Sequence, residues 1–292
     1  MASLTIFRQA SNNSSGNAHK RTAISLLFRL NPHFSFFLND FTNWHIIGYK
    51  LRKSNLTEIM RKILVFILAS LTPVTAFTQQ RVNAHDILRE IDDGKSVSYK
   101  DVEIEGTLDF TDLRNRRLKD SSFSLFGNNN DLYESAVEAP VTFINCTFLD
   151  DVIAYYHLER NNNTYIAHFE DNVVFKNCTF KRKSEFKYSE FSENVDFSGS
   201  IFNRDANFKY AEFSELPYFN EAEFRDEANF KYAEFTRGAN FESAIFLELA
   251  NFKYTKFRTP VNFKNISFEG YEDFKYTKVD GRSFTSYLLK NR

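Results

Sequence analysis

Ala206-Asn207-Phe208-Lys209-Tyr210-Ala211-Glu212-Phe213-Ser214-Glu215-Leu216 is one half of a 22-residue unit, and its reading decides the fold. Phe-Lys-Tyr returns at Phe186-Lys187-Tyr188, Phe230-Lys231-Tyr232, Phe252-Lys253-Tyr254 and Phe274-Lys275-Tyr276. Between Phe175 and Phe274 phenylalanine falls at steps that alternate between five and six residues without a slip, and Val279 takes the next place. A helix repeats every ~3.6 residues and a strand every two, so an eleven-residue period suits neither. A fixed unit of this length marks a solenoid, in which each turn stacks on the next.

Four phenylalanines per unit imply a coil with four sides, two of five residues and two of six. The residue two before each Phe is nearly always small, as at Ser184, Ser189, Ser200, Ala206, Ala211, Ala228 and Ala233. Residues two apart on an extended side face the same way, so a large and a small residue share each inner side. The residue between them is polar and faces out, as at Asn207, Glu212, Asn229 and Glu234. Coils stacked at the strand spacing of about 4.8 Å would bond backbone to backbone along the axis.

Ala206-Asn207-Phe208-Lys209-Tyr210 followed by Ala211-Glu212-Phe213-Ser214-Glu215 resembles the pentapeptide-repeat family, whose pattern is A-(D/N)-L-x-x. The resemblance covers at least residues 171–283. It implies an all-β fold, a right-handed quadrilateral β-helix. The chain departs from the pattern in two ways: Phe replaces Leu at the centre, and every second step carries an extra residue, which predicts wider corners there.

Outside the repeat the chain changes character. Residues 1–59 hold seven Lys/Arg against Asp40 and Glu58 and read as a disordered or spurious extension. From Met60, the basic pair Arg61-Lys62, the apolar run Ile63 to Leu71 and the small residues of Val74-Thr75-Ala76 form a signal-peptide pattern over 60–76. This predicts cleavage after Ala76 and a periplasmic or secreted mature chain with no stable membrane span. The segment 77–96 holds a capping helix over 82–93, with Asn83 as N-cap and Ile87, Leu88 and Ile91 as its apolar stripe. The β-helix then runs over 97–283. Val97 to Ile104 reads as one alternating strand, and Leu108, Leu113, Leu118 and Phe123 as an early, degenerate coil. A Gly/Asn-rich loop is expected over 124–140 and a hairpin near 153–165, built around Asn161-Asn162-Asn163. Residues 284–292 are expected to plug the far end with Phe284, Tyr287 and Leu288.

Few residues suggest reaction chemistry. Histidine is absent after His168, and His157 and His168 read as surface residues of the hairpin. No Gly-rich phosphate loop, nucleophile elbow or Cys-x-x-Cys occurs. Neither catalytic residues nor a cofactor or metal site is expected. Phe143-Ile144-Asn145-Cys146-Thr147-Phe148 almost copies Phe175-Lys176-Asn177-Cys178-Thr179-Phe180, so Cys146 and Cys178 are expected on adjacent coils. They would be either a disulfide or two buried thiol fillers.

The candidate binding surface is a pair of outer columns. Lys187, Lys209, Lys231, Lys253 and Lys275 form one, with Tyr188, Tyr210, Tyr232, Tyr254 and Tyr276 beside it. Across the corner Glu190, Glu212 and Glu234 are placed to offset the lysines. That column then changes sign at Lys256 and Lys278, which are expected to be unpaired. The surface suits solubility and ladder packing, or a groove in which Tyr supplies flat faces and Lys charge to a sugar or an anionic polymer.

With formal net charge −1, the chain is not predicted to bind nucleic acid. The favoured reading is an exported, non-catalytic binding or structural scaffold for a protein or glycan, with end-to-end homodimers conceivable. A DNA-mimicking protector of topoisomerases, implied by the resemblance, requires a strongly acidic cytoplasmic rod. A polysaccharide-cleaving β-helix enzyme requires clustered carboxylates or catalytic bases off the repeat.

Overall fold

The structure is a computed structural model that describes residues 80–120 and 131–290. The chain divides into two units, 1–76 and 77–292, and every described residue belongs to the second. The expected extension, the leader, Phe123 and the Gly/Asn run at 127–130 lie outside the described residues.

The repeat winds into a coil with four sides. Face I carries Val141–Ile144, Val173–Lys176 and Val195–Asp196, and face II Thr147–Phe148, Thr179–Phe180 and Ile201–Phe202. Face III carries Ser184–Glu185, Ala206–Asn207 and Ala228–Asn229, and face IV Glu190–Phe191, Glu212–Phe213 and Glu234–Phe235. The repeating strands of each face pair in parallel, from Val173 onward with residue i opposite i+22, as in Phe202↔Phe224, Ala206↔Ala228 and Phe213↔Phe235. The repeating phenylalanines from Phe175 to Phe257 are 0–2% exposed, as are their small partners from Ala206 to Ala250. Rings stack along each face, Phe208 to Phe230 at 5.0 Å and Phe202 to Phe224 at 4.8 Å, and meet edge to face across the coil.

The alternating five and six residues have a conformational reason. After each five-residue side the chain turns through a left-handed residue. Between faces III and IV this is Tyr188, Tyr210, Tyr232, Tyr254 or Tyr276, all with φ of 60–64°. Between faces I and II it is Asn177, Gly199, Glu221, Ser243 or Asn265. At the other two corners the extra residue spreads the turn over one more peptide, and there, among the described residues, only Gly106 and Gly238 have positive φ.

Face I is interrupted. Pro217 stands at the small inward position and lacks the N–H with which Val173 and Ala239 bond the next coil. The sheet therefore splits into four-stranded and two-stranded parts, joined through Tyr218 by isolated bridges to Asp196 and Asn240.

The N-terminal coils differ from expectation in several places. The run from Val97 to Ile104 is not one strand. It bends at Asp101 (φ 57°) into Val97–Lys100 on face I and Val102–Glu105 on face II. Leu108 and Leu113 are buried, but Leu118 is 50% exposed on Arg117–Asp120, a strand antiparallel to its neighbour rather than a coil side. Within the expected 124–140 loop, Leu132–Val137 is a face IV strand, paired with Thr164 to Phe169. The hairpin comprises Tyr155–Leu158 and Asn163–Phe169, antiparallel to each other, and its second arm is itself a side of the coil. Both departures from the 22-residue unit thus leave from one corner, between faces III and IV.

Both ends are covered. Gln80–Asn83 adds a parallel strand to Val102–Glu105, and helix α1 (Ala84–Asp92) follows it. The Asn83 side chain accepts from the His85 amide at 2.9 Å, and Gly94 at φ +70° follows the last turn. Ile87 and Ile91 are buried, and Leu88 packs partly buried against the same core. At the far end Arg282–Ser283 turns back antiparallel on Lys278–Val279, and helix α2 (Phe284–Lys290) follows. Phe284 stacks on Phe274 at 4.3 Å, and the Tyr287 hydroxyl donates to the Val261 carbonyl at 3.1 Å.

Candidate functional site

The Lys–Tyr columns form at the III–IV corner as a ladder. Tyr188, Tyr210, Tyr232, Tyr254 and Tyr276 stack with centroids 4.7–4.8 Å apart and nearly parallel planes. A bulky residue in the left-handed region costs about 1–3 kcal/mol. Each stacked pair returns about 0.5–1.5 kcal/mol beyond the area it buries. The two are comparable, so the ladder can offset its own corner strain. Lys187, Lys209, Lys231, Lys253 and Lys275 lean over the ring of the following tyrosine, Nζ lying 5.0–5.7 Å from the centroid.

This geometry corrects three expectations. The lysines make no ion pairs with Glu190, Glu212 or Glu234, because the ammonium lies over its own tyrosine. Lys256 is not unpaired: it bridges to Glu234 one coil back. The ring faces are not open to a sugar, since each inner ring is covered on both sides by its neighbours. What the ladder presents is a row of phenol edges and ammonium groups. Its N-terminal end is closed by the hairpin, where Tyr155 lies against Tyr188 at 5.8 Å and its hydroxyl meets Lys187 Nζ at 3.1 Å. Its C-terminal end is open, with Tyr276 55% exposed.

Burial holds the Lys187 ammonium below its usual value. It does the same at Lys209, where the charges of Lys187 and Lys231 add to the effect. The glutamate column behaves in the opposite sense. Burial raises the Glu212 carboxyl, helped by Glu190 and Glu234 on either side, and Lys256 opposes.

His157 and His168 are not free surface groups. His157 Nδ1 lies 3.0 Å from Thr164 Oγ1 within the hairpin. The His168 side chain is 17% exposed, with Nε2 3.4 Å from Glu134, and its Nδ1 accepts the Glu190 amide at 3.1 Å. That bond places the neutral ring's proton on Nε2. Glu134 also accepts from Lys119 at 2.6 Å, and these groups line a cleft of about 600 Å³. Among the described residues no cluster of three or more His, Cys, Asp or Glu is placed to hold a metal ion, and no helix is long and apolar enough to cross a membrane.

The cysteine hexapeptides stack as expected, with Phe143 over Phe175 and Phe148 over Phe180. Cys146 and Cys178 are both free and buried. Each thiol points at backbone carbonyls, Cys146 Sγ at Ile144 (3.4 Å) and Cys178 Sγ at Phe143 (3.3 Å). Burial pushes the Cys178 thiol up, which keeps it protonated.

One aromatic on face I carried no signal in the repeat. Tyr218 is 43% exposed, and the residues paired with it in its column are Asp196 and Asn240 rather than other tyrosines.

A sequence model described as pentapeptide repeats (9 copies) matches residues 167–212, 208–255 and 219–267. No curated protein and no solved structure matches the chain.

Proposed function

Residues 167–267 are pentapeptide repeats, and on that premise we propose that the chain is an exported, non-catalytic scaffold that binds an anionic polymer along its Lys–Tyr ladder. The carrying observation is the ladder itself. Five ammonium groups stand in register on rings only 4.7–4.8 Å apart, each displaced from a carboxylate and held over a tyrosine. Like charges so close repel one another; the lowered Lys209 value comes first from burial, and the charges of Lys187 and Lys231 add to it. A polyanion laid along the row relieves it. Residues 250–292 add to the attraction, with nine Lys/Arg against four Asp/Glu, a net of +5 (9 − 4).

A topoisomerase-protecting role calls for a continuous acidic surface. The acidic column of face IV runs only from Glu190 to Glu234 before Lys256 and Lys278 replace it. Export rests on the Met60 to Ala76 pattern alone.

Titration with polygalacturonate and with heparin at low and high salt tests the binding. Replacing Lys209, Lys231 and Lys253 together by Gln should weaken it at least tenfold. Equal binding by the triple variant, or none by the native protein, would refute the ladder reading. Mass spectrometry of native protein should give an N-terminus near Phe77, and peptides from residues 1–59 would sink the export reading.

A further inference from the structure

We infer that face I carries a separate subsite for a neutral oligosaccharide, built around Tyr218. Of the described tyrosines, Tyr218 and Tyr271 alone have no ring neighbour; Tyr271 stands at a corner, whereas Tyr218 is set on a side. The reason is periodic: its column reads Asp196, Tyr218, Asn240, Asn262, so no second ring comes to cover it. Its backbone is fixed from both sides, Tyr218 N donating to Val195 O at 2.9 Å and Phe197 N to Tyr218 O at 2.7 Å. Pro217, buried directly before it, restricts the chain further. The backbone that carries the ring is thus held in place, the residue is 43% exposed, and no second ring stacks on it.

The groups around it suit hydroxyls. Asp196 and Asn240 lie one rung to either side of Tyr218, at a strand spacing of about 4.8 Å. Asn220 and Glu242, with Ser198 buried beside them, follow two residues further on, in the turns that leave face I. Together they line a depression of about 410 Å³. Among the described residues neither the Tyr218 hydroxyl nor the Asn220 amide has a hydrogen-bond partner. Planar amides and carboxylates can each engage two adjacent hydroxyls, while an aromatic platform takes the C–H face of a pyranose ring. The depression is lined by Asp196, Glu221 and Glu242 against Lys176, and Lys264 lies 3.6 Å from Glu242, a net of −1 (2 − 3), so it disfavours an acidic sugar. This is opposite to the ladder in charge, and the two sites stand or fall separately.

The test is calorimetric titration of the native protein with cellotetraose, xylotetraose, chitotetraose, maltotetraose and, as the anionic counterpart, tetragalacturonate. At least one neutral tetrasaccharide should bind, and tetragalacturonate should bind at face I at least tenfold more weakly. Tyr218→Ala should weaken the neutral sugar at least tenfold and Asn220→Ala about threefold or more. Tyr218→Phe, which keeps the platform, should stay within about threefold of native and serves as the folding control. Tyr210→Ala in the ladder should leave the neutral sugar unaffected. Failure of all four neutral sugars to bind, or binding that survives Tyr218→Ala, overturns the inference. A loss of polyanion binding caused by Tyr218→Ala overturns the separation of the two sites.

Discussion

Replacing Phe230 by Ala tests the inward stack most directly. Phe230 is 0% exposed and lies between Phe208 and Phe252, with centroids 5.0 Å away on each side and planes within 4°. It also meets Phe219 and Phe241 edge to face at 5.4 and 5.5 Å. A buried ring removes roughly 150–250 Å² from water; at about 25 cal/mol per Å² this is roughly 4–6 kcal/mol, of which the alanine methyl retains a part. Collapse into the void is restricted, because Phe208 N and Phe230 N are bonded to Asn229 O and Asn251 O of the next coils at 2.8 Å. The expected loss is therefore about 4–5 kcal/mol, at the upper end of the large-to-small range. Lys231→Ala, one residue on, should cost no more than about 0.5 kcal/mol. Because each coil contacts mainly its neighbours, the loss should also broaden or divide the unfolding transition. Guanidinium titrations followed by far-UV circular dichroism measure both effects. Equal losses for the two variants would refute the inward assignment.

Three further outcomes are expected. Ser184 Oγ and Ser189 Oγ are buried without partners, whereas Thr255 and Thr277 donate to the carbonyls of Phe230 and Phe252 at 2.7 and 2.6 Å. Ser184→Ala and Ser189→Ala should each stabilise by about 1 kcal/mol and Thr255→Val destabilise by a similar amount, measured by the same titration. The raised Glu212 carboxyl means that the folded state holds its proton more tightly than the unfolded chain. Stability should thus rise as pH falls through the raised value. Glu212→Gln should be stabilising near pH 7 and flatten that rise; an unchanged pH profile would contradict the column's repulsion. Cys146 and Cys178 should resist alkylation in native protein and both react in guanidinium, and a thiol count that stays below two after treatment with a reductant would show oxidation beyond a disulfide.

The fold was legible wherever the period was. Phenylalanine spacing alone locates the four sides from Phe175 to Phe268, because a ring of that size has one place to go in so narrow a coil. The pairing of Phe143 with Phe175 across 32 residues was legible too, since the hexapeptides are near copies. Recognition failed where valine or serine replaced the marker. Leu132–Val137 presents Ser135 and Val137 inward instead of Ala and Phe, and it adjoins an Asn-rich run, so it reads as loop. Leu118 keeps the five-residue step yet sits on an antiparallel strand, because a step count carries no direction. Helix α2 has seven residues, too short for a helical period to show. At the ladder, spacing located every lysine and tyrosine but not their torsions. Rings repeating at the strand distance cover one another, so repetition closed their faces, whereas no second ring stacks on Tyr218.

A surface that repeats identically has no origin. A partner with a matching repeat could engage the lysine row at any rung, each shifted by one coil, and these shifted complexes would compete as near-equal states. The hairpin at Tyr155 removes that degeneracy at one end. By closing the first rung it supplies a zero mark, and Tyr276 at the open end supplies a direction of entry. On the proposed function the ladder would then work as a graduated scale rather than a uniform strip, one on which a bound chain would have a defined starting point and polarity.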